Sequence, residues 1–262
     1  MKLFVRELGS GPPVIILHGL FGMSDNWMTI SKRFSENGFH VFAPDLRNHG
    51  QSPHSEEWNF KTMAEDVFEL MVDRKIIRPV VIGHSLGGKV AMQMILMHAE
   101  QFAGLVISDI APKKYPVFHS NIISALNEVK IEILSSRKEA EQFLSQKIND
   151  NATLQFILKN IYWKETAAGK VLSWRFNLEV ISKRIENASE EIHFSRSIKL
   201  PALMLRGDRS DYVTDNDISE FKKIFPLAEA VTIKNSGHWI HAEQPEEFFE
   251  VVTSFLKRIS FL

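Results

Sequence analysis

The stretch Pro79-Val80-Val81-Ile82-Gly83-His84-Ser85-Leu86-Gly87-Gly88 governs how the rest of the chain is read. A short apolar run leads into Gly83-His84-Ser85-Leu86-Gly87, a G-x-S-x-G pentapeptide. An amphipathic stretch leads out, from Gly87 to His98, with Val90, Ala91, Met94 and Ile95 at helical spacing. Glycine and serine are common, so the pentapeptide alone says little. The strand before it and the helix after it give it weight, because they fit a sharp turn that holds a serine hydroxyl clear of a sheet. Flanking glycines let the backbone make that turn and pack closely around it. The plainer alternative is a serine that N-caps an ordinary helix. The setting favours a nucleophile at Ser85.

Outward from this turn, short apolar runs recur at Val14 to Leu17, His40 to Ala43, Val80 to Ile82, Leu105 to Ser108, Leu203 to Leu205 and Ala230 to Ile233. Several are apolar on both faces, as parallel strands covered by helices are. Amphipathic stretches lie between them. Thr62 to Asp73 sets Met63, Val67, Leu70 and Met71 on one face, and Glu246 to Leu256 does the same with Phe248, Phe249, Val252 and Phe255. This alternation predicts an α/β fold, a mostly parallel twisted sheet flanked by helices. One interval breaks the rhythm. Between Ser108 and Pro201 lie about ninety residues, where a crossover needs on the order of twelve. Helical patterns fill it at Asn121 to Val129, Ser136 to Ile148, Thr153 to Ile161 and Asn177 to Asn187, with Ser136 and Glu139 in capping-box spacing. The expected organisation is a core of residues 1–112 and 200–262, with residues 113–199 inserted as a helical cap, or lid.

Composition removes several classes of function. The chain has 262 residues, 44% hydrophobic and 24% charged, which excludes a disordered chain and a coiled-coil rod. With 31 basic and 32 acidic side chains, the net charge of -1 leaves no surplus to draw nucleic acid or an anionic membrane. The absence of cysteine removes disulfides, thiolate nucleophiles and Cys-bound zinc. No apolar run approaches the ~20 residues of a membrane span. Met1-Lys2-Leu3-Phe4-Val5-Arg6-Glu7 meets charge too early for a signal peptide, so a cytoplasmic location is expected. The ten histidines show no H-E-x-x-H or similar spacing, so no metal is expected. The G-x-G-x-x-G spacing of dinucleotide sites is missing, and Gly88-Lys89 lacks the rest of a P-loop, so no cofactor is expected either.

Further segments join the pentapeptide. They are His18-Gly19-Leu20-Phe21-Gly22, Asp45-Leu46-Arg47-Asn48-His49-Gly50-Gln51-Ser52, Asp109-Ile110-Ala111-Pro112, Trp174-Arg175-Phe176-Asn177-Leu178 and Asn235-Ser236-Gly237-His238-Trp239. Together they resemble the α/β-hydrolase fold family. Within it they are similar to short bacterial esterases of the YbfF type and eukaryotic relatives of the ABHD11 type.

A serine hydroxyl needs an adjacent base. The resemblance implies His238, which comes last in chain order as the family's histidine does. The alternative is a loop histidine with a structural hydrogen bond. His241 is expected to support that loop, and His84 to point away from Ser85. For the acid that orients the imidazole, many family members carry an aspartate three residues after the glycine of the segment Arg206-Gly207-Asp208-Arg209-Ser210-Asp211-Tyr212-Val213. Here Ser210 stands in that position, with Asp208 and Asp211 near it. Asp109 matches the YbfF-like esterases and is the preferred acid, with Asp211 in reserve. One oxyanion donor is expected at the Leu86 amide, next to the serine at a helix N-terminus. The other, by resemblance to the family's H-G-x loop, is Leu20, with Phe21 beside it as a substrate-pocket wall. Asp45 and Arg47 are read as scaffold.

The resemblance implies hydrolysis of a small-molecule ester or thioester with a short to medium acyl chain, through an acyl-enzyme on Ser85. Trp163, Trp174, Phe118, Phe156 and Phe176 are expected on the apolar inner face of the cap. Two alternatives stand beside this reading. The same triad serves C–C bond hydrolysis, perhydrolysis or acyl transfer in other proteins, and a non-catalytic ligand-binding receptor can be built on the same scaffold.

Overall fold

The computed structural model describes residues 1–117, 119–167 and 169–259. In chain order the first half holds β1 (Val5–Leu8), β2 (Pro13–Leu17), α1 (Met28–Glu36), β3 (His40–Pro44), α2 (Phe60–Asp73), β4 (Val80–His84), α3 (Leu86–His98) and β5 (Gly104–Ser108). The long interval follows, with α4 (Ser120–Glu128), α5 (Arg137–Leu144), α6 (Asn151–Leu158), β6 (Ile161–Thr166), β7 (Gly169–Trp174) and α7 (Leu178–Lys183). The chain then returns through β8 (Ala202–Gly207), α8 (Asp215–Ile224), β9 (Ala228–Ile233), α9 (Ile240–Glu243) and α10 (Pro245–Arg258).

Seven strands form one sheet in the order β1-β3-β2-β4-β5-β8-β9, parallel throughout except for the β1–β3 pair. The inner strands are buried on both faces, which explains their unbroken apolar sequences. Val14, Ile16, Val80, Ile82, Val106, Leu203 and Leu205 face the core built by α1 and α10. Ile15, Leu17, Val81, Leu105, Ile107 and Met204 face the larger core of α2, α3 and the inserted segment. Helix starts follow capping chemistry: Asn59 accepts from Thr62 N, Thr214 and Asp217 form a capping box, and Pro245 opens α10.

The inserted segment is not wholly helical. The β6–β7 hairpin, with Ile161 opposite Trp174, occupies the stretch after α6, and the helix expected to reach Ile161 stops at Leu158. Most of β6 is exposed, so it carries no apolar alternation to mark it as a strand. Trp163 is half exposed and takes no part in an inner apolar face. Trp174 and Phe176 are buried and stacked on each other, 5.2 Å between centroids, and Phe156 packs on Trp239. Phe118 lies outside the described residues. At Ser136 the side chain accepts from Glu139 N, while Glu139 reaches back to Ser135 N at 2.9 Å, so the expected capping box is displaced by one residue.

Candidate active site

The sheet register brings the site together. His84 pairs with Ser108, and Ser108 pairs with Leu205, so β4, β5 and β8 end side by side. Ser85 and Asp109 are the next residues on their strands. Both leave with positive φ, 52° and 53°, a region that costs a non-glycine residue about 1–3 kcal/mol and persists only where its surroundings enforce it. At Ser85 those surroundings are two close backbone approaches. A Cβ on Gly83 would meet Gly87 O at 2.4 Å, and one on Gly87 would meet Leu17 O at 2.2 Å. Ser85 N donates to Ser108 O, and Ser85 O accepts from Gly88 N and Lys89 N, which starts α3 at the serine.

His238 sits in the loop between β9 and α9. Its Nδ1 donates to Asp109 Oδ2 at 2.8 Å. An ionised carboxylate only accepts, so the proton sits on Nδ1 and Nε2 keeps its lone pair. Asp109 is fully buried, and its other bonds come from Gly207 N at 3.1 Å and from Ser210 Oγ. Asp211 is exposed. Ser210, three residues after Gly207, thus donates to the carboxylate that the neighbouring strand supplies. His238 is held on two further sides. The Tyr212 ring stacks on its imidazole at 3.8 Å between centroids. His84 turns its ring to the same loop, with Nε2 donating to His238 O at 2.8 Å. His241 stacks on Trp27 at 3.9 Å and lies edge-on to His84. Burial pushes His241 down to about 3 and His84 well below the usual histidine range, so both support the loop as neutral rings.

The loop after β2 carries the other expected contributions. His18 Nε2 accepts from Leu46 N, so Nδ1 carries the proton and donates to Gly19 O. Burial pulls this ring down to about 4 and keeps it neutral. Gly22 N donates to Gly19 O, and Phe21 turns with φ 57°. Leu20 and Leu86 line a cleft together with Ser85. Phe21, expected as a wall of that cleft, packs behind it against Phe176, 4.9 Å between centroids. Asp45 accepts from Ser24 N and Gln51 N, and Arg47 holds Asp66 with two bonds, as scaffold residues do.

Several residues here escaped the sequence reading. Tyr115, His119, Ser189 and Tyr212 join the cleft wall, as does Lys89, one turn along α3 from the serine. Asn160, buried at the end of α6, donates to Phe21 O at 2.9 Å. Tyr212, Asn160 and Lys89 lay in segments singled out beforehand, but only as parts of a candidate acid loop, a helical pattern and a missing P-loop. The cleft's volume is about 40 Å³, room for a few waters, since one needs on the order of 10–15 Å³. No described helix is long and apolar enough to cross a membrane.

Residues 12–245 match the family model for the α/β hydrolase fold. The chain is 35% identical over 257 residues to the sn-1-specific diacylglycerol lipase ABHD11 of Danio rerio, covering 95% of this chain and 80% of that one. It is 32% identical over 264 residues to the esterase YbfF of Escherichia coli strain K12, covering 98% and 99%. Among solved structures, a marine microorganism esterase superposes with a TM-score of 0.93 at 40% identity, covering 98% of this chain and all of the other. With a strand-to-helix serine, a buried acid–imidazole pair and this likeness along its whole length, the chain belongs to the α/β hydrolase fold family.

Proposed function

We propose that this protein is a serine hydrolase that cleaves carboxylic esters or thioesters through an acyl-enzyme on Ser85. In this reading His238 Nε2 takes the proton as Ser85 Oγ attacks the carbonyl carbon. The Leu86 and Leu20 amides stabilise the oxyanion. His238 then protonates the leaving alcohol or thiol. Water enters, gives its proton to His238 and releases the acid, which regenerates Ser85. Asp109 keeps the imidazole in the tautomer with Nε2 free and stabilises the imidazolium. Ester hydrolysis as the reaction class is supported by the relatives, which are named as esterases and a lipase.

The observation that carries the reading is the 2.8 Å bond from His238 Nδ1 to a fully buried Asp109 that leaves its strand level with Ser85. Residues 113–199 act as a cap in this reading, because Tyr115, Pro116, Val117, His119, Ile185 and Ser189 form one wall of the cleft. The narrow cleft favours short acyl groups. The test is a p-nitrophenyl ester panel together with a fluorophosphonate probe. Wild type should hydrolyse short esters and take the label on Ser85, and Ser85→Ala should do neither. A folded wild type that turns over no ester and leaves Ser85 unlabelled would overturn the reading.

A further inference from the structure

Lys89 is nearly inaccessible, at 1% exposure, yet no carboxylate pairs with it at hydrogen-bond distance among the described residues. Its Nζ donates instead to three backbone carbonyls: Pro112 O at 2.9 Å, Lys113 O at 2.5 Å and Glu190 O at 2.8 Å. An ammonium has three N–H donors, so every donor of the charged form is used. A neutral amine would turn a lone pair to one of the three oxygens. Burial pulls the pKa down to about 7, with Lys113 adding repulsion and Glu191 opposing it. The Tyr115 ring adds a cation–π face at 5.2 Å.

These carbonyls sit at telling places. Pro112 and Lys113 lie where the chain leaves the sheet for the inserted segment, and Glu190 lies where it comes back. Tyr115 N to Ser189 O and Ile192 N to Pro112 O, both 2.8 Å, close the same seam. Tyr115 and Ser189, beside the bonded carbonyls, form the cleft wall opposite Ser85. The ammonium therefore draws both ends of the segment onto the helix that begins at the serine.

We propose that Lys89 is a specificity-determining residue that holds the acyl cleft small by pinning both ends of the inserted segment to α3. The inference rests on the serine-hydrolase reading above. Without the pin, Tyr115 keeps the bonds of its hydroxyl to Ala111 N and Tyr212 O, and the Ser189 side of the wall retreats and admits longer chains. Each further methylene that becomes buried raises binding about fourfold.

The test compares kcat/KM for p-nitrophenyl butyrate and decanoate in wild type and Lys89→Met, with folding checked by circular dichroism. The butyrate-to-decanoate ratio should fall by about tenfold or more in the variant, chiefly through KM for decanoate, as expected if two or more methylenes gain burial. A loss of general stability alone leaves that ratio unchanged. If Lys89→Met does not fold, the wild type is measured at about pH 6 and about pH 9, where the ammonium loses its proton. A ratio between two esters cancels the titration of His238, and it should be lower at the higher pH. An unchanged ratio in a folded variant, or across pH when no variant folds, overturns the proposal while ester hydrolysis stands. A wild type that hydrolyses neither ester and leaves Ser85 unlabelled overturns the hydrolase reading itself, and this inference with it.

Discussion

Asp109 shows how much a single backbone conformation decides. Its φ of 53° turns the carboxylate out of β5 toward Nδ1 at the edge of the His238 ring, where Gly207 N and Ser210 Oγ complete its hydrogen bonds. Asp109→Asn keeps the shape but offers His238 an amide, which stabilises the wrong tautomer, so kcat should fall about 10³- to 10⁴-fold. Asp211→Asn should change kcat by no more than about twofold, as exposed substitutions generally do little. Steady-state rates on one short ester decide between them, and the reverse ranking would remove Asp109 from the mechanism. At this scale the sequence narrowed the acid to two aspartates. It preferred Asp109 only through the family resemblance, because the residues alone do not say which strand end lies beside the histidine loop. Tyr212, stacked on His238, and Lys89, spanning both ends of the insertion, showed no role in the sequence, since each acts through partners that are distant along the chain.

Among the elements, the inserted segment matters most to the site. It is tied to the loop after β2 through Asn160, whose Nδ2 reaches Phe21 O, and through the stacked pair Trp174–Phe176 against Phe21. The amide of Leu20 stands one residue before Phe21. Asn160→Leu removes the tie and strands a buried carbonyl, at a cost of about 1–3 kcal/mol in stability. If Leu20 is an oxyanion donor, kcat should also drop by about tenfold, less than the 10²-fold or more seen when a donor is deleted outright. Thermal melts and kcat on the same preparation test this, and a lower melting temperature with unchanged kcat would detach that loop from catalysis. The helices of this segment were legible from their periodicity and caps. The β6–β7 hairpin was not, because β6 is mostly exposed and the buried residues of β7, Leu172 and Trp174, are too few to impose a period of two.

Across the whole molecule, buried neutral histidines set the acid limit. Burial holds His18 and His119 near 4 and His49 and His241 near 3, with His84 also well below its ordinary value. Their folded pKa values lie below the unfolded value of 6.5. The unfolded chain therefore takes up protons that the folded chain refuses, and stability falls as pH drops from about 6.5 toward about 4. Above about 6.5 these rings are neutral in both states and contribute no slope. Melting temperature should decline steeply between about pH 6.5 and about pH 5, and His241→Phe should make that decline shallower by about one proton. A melting temperature that stays flat across the interval would rule out buried neutral imidazoles as the cause. The sequence by itself determined the parallel sheet and the strand-to-helix turn at Ser85, because hydrophobic patterns and a glycine-flanked turn are local properties; the late histidine came by resemblance to the family. Only the tertiary structure decided which acid meets the imidazole, how the inserted segment is anchored and how wide the cleft is. Those follow from strand register and from hydrogen bonds between residues about a hundred positions apart, such as Lys89 with Glu190 and Asp109 with His238.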